Sequence, residues 1–126
     1  MRIFKSKWFA KFARKERISN AKLCAAIRDA EAGKIDADYG GGVIKQRIAR
    51  PNEGKSGGYR SIILFRQGER SFFVYGFAKS ELDNIDESDE WGFKELAKTL
   101  LAASDRELEH LAGDGKYIEV KCDDQS

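Results

Sequence analysis

Histidine, cysteine and long apolar runs are all scarce in this 126-residue chain, and each scarcity narrows what it can do. The one histidine, His110, sits beside Glu107 and Glu109, far along the chain from any basic cluster. It reads as a surface residue and leaves imidazole-based catalysis without a partner. The two cysteines, Cys24 and Cys122, share no metal-ligand spacing. Cys24 falls among alanines on a helical pattern, so two free thiols in a reducing, cytoplasmic setting are expected, without a disulfide. The cationic start, MRIFKSKWFAKFARKE, lacks an apolar core of signal-peptide length, and nothing later approaches a membrane span, so no membrane partner is expected. Asp86, Glu87, Asp89 and Glu90 do not follow calcium-loop spacing and fit helix capping, so neither a metal nor a cofactor is expected.

What is present is charge, unevenly placed. Residues 1–80 carry 18 Lys+Arg against 7 Asp+Glu, whereas residues 81–126 carry 5 against 14. A near-neutral total of +2 therefore hides a basic body and an acidic C-terminal part. Such separation favours a polyanionic partner for the body, nucleic acid first among them, although solvated surface charge is the plain alternative. With 41% hydrophobic residues the chain has enough apolar material for one domain with its own core over 1–126.

Periodicity places the elements. Phe4, Trp8 and Phe12 recur every four residues and predict a helix packed on a core. Ser19 is a candidate N-cap for a second helix, with Ile18 and Leu23 at staple positions and Leu23, Ala26, Ile27 and Ala30 on one stripe before Gly33. From Val43 the period becomes two: Lys45, Arg47 and Ala49 alternate with Ile44, Gln46 and Ile48, which puts both basic side chains on one face and leaves Gln46 an imperfect core residue. Ile62 to Phe65 reads as a strand covered on both faces, and the turn Gln67–Glu69 leads to Arg70–Ala78 as an antiparallel hairpin. Phe93, Leu96, Ala97, Leu100 and Leu101 predict an acidic, core-facing helix. Ser104 with Glu107 forms a capping box for a shorter helix, stopped by Gly113 and Gly115. Tyr117–Cys122 alternates like a strand with Ile118 and Val120 inward, able to pair with a sheet edge. The fold class expected is α+β.

The segment ARPNEGKS comes within one residue of a phosphate-binding P-loop, with Ala49 where the first glycine belongs. A P-loop must open a helix, yet Gly57, Gly58 and a strand follow, and no acidic residue ends the next strand to bind magnesium. The glycines instead suit a flexible turn between strands with Lys55 at its tip. A nuclease built here would rely on Lys, Arg and Tyr. Arginine and lysine can neutralise the phosphorane formed when a ribose 2′-hydroxyl attacks the neighbouring phosphate, and a desolvated lysine can move the proton.

Two N-terminal helices, then VIKQRIAR, a short basic loop, GGYRSIILF, a turn, FFVYGFAKSE and a closing acidic helix resemble, in that order, the RelE and HigB toxins of bacterial toxin–antitoxin systems. The resemblance covers about residues 1–102; a helix–strand extension of about 104–122 lies beyond it. It implies a small antiparallel sheet flanked by two N-terminal helices and a C-terminal helical segment, and a metal-independent endoribonuclease that cuts mRNA in the ribosomal A site. It also implies three partners: mRNA, the ribosome and a cognate antitoxin. Carried over by position, Lys45 and Arg47 match the paired basic residues of the active-site strand, with Lys45 moving a proton. Arg60 matches the arginine that holds the scissile phosphate, and Lys79 a basic residue ending the next strand, which completes the expected catalytic set. Arg50, Lys55 and Tyr59 are the expected RNA contacts. The chain departs from the pattern at Ile85, where some RelE-type nucleases carry a base-stacking tyrosine; Tyr59 and Tyr75 are the substitutes at hand. A ParE-like gyrase inhibitor and a binding module without catalysis are the alternatives on the same scaffold.

Overall fold

A computed structural model of the chain describes residues 1–50, 54–81 and 84–122, leaving the side chains of residues 50 and 54–57 outside that set. The element order is β1 (Arg2–Ser6), α1 (Lys7–Glu16), α2 (Asn20–Glu31), β2 (Ala37–Gly40), β3 (Val43–Arg50), β4 (Gly54–Arg66), β5 (Arg70–Ala78), α3 (Glu87–Leu100), α4 (Asp105–Gly113) and β6 (Tyr117–Val120). The strands form one sheet in the order β2-β3-β4-β5-β1-β6. Every pairing is antiparallel except β1 against β5. The class is α+β, as expected.

The opening strand is the main correction. Phe4, Trp8 and Phe12 do not share one helix, because Phe4 lies in β1 and α1 starts only at Lys7. The boundary is set by Ser6, whose Oγ accepts a hydrogen bond from Phe9 N at 3.0 Å and so satisfies a backbone donor that a helix start leaves unpaired. β1 is flanked on both sides, so Ile3 and Phe4 are both buried, one towards each face. Phe4 stacks on Phe72 of β5 with ring centroids 5.1 Å apart. The second helix and both C-terminal helices form where their caps predict, with Ser19, Asp86 and Ser104 each accepting from a backbone amide in the first turn.

Strand alternation divides the core in two. Ile44, Ile48, Tyr59 and Ile63 face α1 and α2, whereas Val43, Ile62, Leu64 and Phe72 face α3 and α4. Lys45, Arg47 and Arg60 keep step with the second set. The register places Arg47 opposite Arg60, and Arg60 opposite Phe77. Lys55, expected at the tip of a turn, belongs instead to β4, which begins at Gly54. The extension past residue 102 joins the same sheet, because β6 pairs with β1. Val120 is buried there, but Ile118 is 41% exposed rather than inward, since it lies on the outermost strand.

Just past that strand lies the largest surprise of the chain: Cys122 forms a disulfide with Cys24 of α2. The expectation of two free thiols is therefore corrected. A separation of 98 residues hid the approach, which depends on β6 lying alongside β1 and leading its end towards α2.

One glycine fixes how α1 meets the sheet. A Cβ on Gly76 of β5 would lie 2.4 Å from Cε2 of Phe12, a ring held by contacts with Trp8, Phe9 and Tyr59. Gly76→Ala is therefore expected to destabilise the protein by about 1–3 kcal/mol through overpacking. A urea unfolding curve with an unchanged midpoint would show that α1 can shift freely.

Candidate basic site

Lys45 and Arg47 project from β3, and Arg60 from β4, onto the face that α3 and α4 partly cover. All three converge on one carboxylate. Asp36 Oδ1 accepts from Arg47 Nε at 3.0 Å, while Oδ2 lies 3.3 Å from Arg60 Nε and 3.6 Å from Lys45 Nζ. The degree of exposure differs sharply: Arg60 is 3% exposed, whereas the Arg47 side chain is 47% exposed. Among the described residues, all three cations face this one carboxylate. Arg60 thus forms the rigid floor of the cluster and Arg47 its open rim.

Asp36 was not legible as a site residue, because it belongs to the connection between α2 and β2. Gln46 explains its position. This residue, an imperfect core position by periodicity, is 3% exposed, and its side chain ties down that connection. Its Nε2 donates to Ala26 O at 3.0 Å and Lys34 O at 2.9 Å, while its Oε1 accepts from Asp36 N at 3.2 Å. A buried amide with its partners met is structural, and here it fixes the backbone that carries the counter-charge.

Burial pushes the Asp36 carboxyl up, but the hydrogen bond from Arg47 and the charges of Lys45, Arg47 and Arg60 outweigh it and hold the group below its ordinary value. A carboxylate more acidic in the folded than in the unfolded chain stabilises the fold fully above its unfolded value, near pH 4. That contribution disappears as pH falls through the lower, folded value. Wild type and Asp36→Asn should therefore differ in urea midpoint at neutral pH and converge as the solution is acidified. A difference independent of pH would show that the pairing contributes nothing.

Tyr39, on the edge strand β2, is a second neighbour that sequence reasoning missed. Its hydroxyl hydrogen-bonds Asn84 Oδ1. Burial pushes this phenol up, helped by the negative charges of Glu90 and Asp36. The strand is only four residues long, ends on Gly40 and directly precedes two more glycines, so it gave little periodic signal.

The remaining expected residues separate. Tyr59 does not join the basic group: it faces α1, is 4% exposed, and its hydroxyl donates to Glu16 Oε1 at 2.7 Å. The alternation that turns Arg60 towards α3 necessarily turns its neighbour away. Lys79 is exposed just past β5, where its amide donates to Gly58 O, and it is not one of the three cations paired with Asp36. Arg50 and Lys55 lie in β3 and β4, but their side chains are outside the described residues. Ile85 is buried in the α3-facing core, so this position fills space and does not present a ring to a ligand. Tyr75 is partly buried between Trp8, Phe77 and Phe93.

No helix among the described residues is long and apolar enough to cross a membrane. The same residues hold no group of three or more His, Cys, Asp and Glu side chains placed to share a metal ion. A family model described as the RelE toxin of the RelE/RelB toxin–antitoxin system matches residues 1–120, thus including the helix–strand extension. Neither the curated proteins nor the solved structures yield a match.

Proposed function

Since the chain belongs to the RelE toxin family of RelE/RelB toxin–antitoxin systems, we propose that it is a ribosome-dependent endoribonuclease that cuts mRNA and is neutralised by a cognate antitoxin. RelE toxins pair with antitoxins and generally inhibit translation as endoribonucleases. One observation carries the finer reading to particular residues: Lys45, Arg47 and Arg60 meet around Asp36 on a partly open sheet face.

The chemistry follows from the RNA. Its 2′-hydroxyl attacks the adjacent phosphorus, the bond from phosphorus to the 5′-oxygen breaks, and a 2′,3′-cyclic phosphate and a 5′-hydroxyl result. The nucleophile comes with the substrate, so the protein's task is to bind phosphate and stabilise the charge that builds up on its oxygens. Arg60 is assigned to the phosphate, because its guanidinium is buried and held in orientation by Asp36 and the Tyr59 carbonyl. Arg47, at the rim, takes the approaching backbone. Lys45 is assigned to proton transfer between the attacking and leaving oxygens. Asp36 aligns all three before RNA arrives and limits their mutual repulsion. Lys79, Arg50 and Lys55 are assigned to flanking backbone or ribosomal RNA.

Induced expression of the wild-type chain should stop protein synthesis before DNA synthesis falters, with new mRNA ends appearing in translated regions. Growth arrest accompanied by double-strand DNA breaks and intact transcripts would instead favour gyrase as the target.

A further inference from the structure

The pairing of β1 with β5 ends at Lys5 opposite Phe73. Beyond that point the outer edge of Tyr75–Ala78 has no strand beside it among the described residues, and α1 passes there instead. A groove of about 410 Å³ opens at this edge, with Trp8, Phe12, Tyr75 and Phe77 as its aromatic lining and Lys15 at one side. We propose that this groove takes one unpaired nucleobase of a single-stranded RNA whose phosphate lies on Arg47 and Arg60. The inference rests on the function proposed above and adds where the base goes.

Three observations support a base. Trp8 is 47% exposed although its ring is fixed, stacked on Tyr75 at 4.7 Å and on Phe12 at 5.5 Å. A rigid, half-exposed indole offers apolar area at little ordering cost to whatever covers it, and every nucleobase has a flat face that can do so. The register then links the groove to the cations, because Arg47, Arg60 and Phe77 form one row across β3, β4 and β5. Three adjacent strands span about 10 Å, a distance compatible with a phosphate and a nearby base of one strand. Finally, charge sorts the two ends. Lys7, Lys11, Arg14 and Lys15 are exposed on α1 and would attract the RNA backbone past the groove. Inside it, Glu16 and Glu81 disfavour phosphate and leave a neutral base as the better occupant.

The chain has only two tryptophans, so in a Trp91→Phe background Trp8 is the sole indole reporter. The probe is a short, fully 2′-O-methylated single strand, which cannot be cleaved by attack of its own hydroxyl. Saturable quenching of Trp8 emission is expected. The same strand with abasic sites should leave the emission unchanged and bind about ten- to a hundredfold more weakly. Trp8→Ala should lose affinity by a similar factor, while Trp8→Phe, which keeps a ring, retains most of it. Thermal melting confirms folding, and if Trp8→Ala unfolds, the quenching and Trp8→Phe carry the test.

Binding by anisotropy with unchanged Trp8 emission and unaltered affinity in Trp8→Ala would overturn the base groove and leave the basic site standing. Failure of the strand to bind at low salt would also overturn it. Quenching together with intact mRNA on ribosomes would keep the groove and overturn the nuclease. A Trp8→Ala variant that binds RNA normally yet escapes its antitoxin would assign the groove to the protein partner and overturn the proposal.

Discussion

Replacing Arg60 by alanine should lower mRNA cleavage by about a hundredfold or more, the usual effect of removing a preorganised donor from a developing oxyanion. The expectation rests on its burial, since a guanidinium 3% exposed and 3.3 Å from Asp36 is fixed before substrate arrives. That same burial means the variant loses packing and leaves Asp36 with two cationic neighbours instead of three. Some loss of stability is therefore expected along with the loss of activity. Arg60→Lys separates the two effects: it keeps a positive charge near Asp36 but not the planar fork that can hold a phosphate. A folded Arg60→Lys protein should retain most of the stability and little of the activity. Lys45→Ala should behave similarly, with less structural cost, because its ammonium contacts the edge of the cluster at 3.6 Å. Cleavage assays paired with thermal melts decide the matter; wild-type rates in a folded Arg60→Ala variant would move the phosphate site elsewhere.

The second large effect concerns the Cys24–Cys122 bond. A cross-link closing a loop of about a hundred residues restricts the unfolded chain substantially, and native disulfides generally contribute about 2–4 kcal/mol. Reduction, or Cys122→Ala, should lower the urea midpoint accordingly. The loss should concentrate at the sheet edge, because the bond ties the end of β6 to α2 across the outermost strand pair. Hydrogen exchange would show it as faster exchange of Tyr117–Val120 with β4 and β5 little affected. Equal midpoints with and without reductant would show that the bond adds nothing to the folded state.

These two effects differ in how visible they were from sequence. Lys45 and Arg47 were legible because a period of two puts them on one face whatever the partner strand. Arg60 came from the family resemblance alone, with the adjoining apolar run as support. Caps at Ser19, Asp86 and Ser104 are local signals and were read correctly. The disulfide, by contrast, depends on β6 returning to β1, a contact without local signature. Asp36 was hidden for a related reason, since a single carboxylate in a connection gains meaning only once Gln46 has drawn that connection towards β3. Phe4 misled because its spacing from Trp8 and Phe12 mimics a helical repeat while Ser6 breaks it. Tyr59, offered as an RNA contact, instead faces the α1 core, because one step along a strand from Arg60 turns a side chain to the other face.

Lys45, Arg47 and Arg60 are proposed to act together on RNA held in a ribosome. Mapping 5′ ends on a defined mRNA, translated by purified ribosomes stalled with a vacant A site, tests it most directly. Wild-type protein should produce new ends at the A-site codon, with 2′,3′-cyclic phosphate on the upstream fragments. A folded Lys45→Ala/Arg60→Ala variant should produce none. Intact mRNA at saturating wild-type protein, or unchanged cleavage by the double variant, would contradict the account.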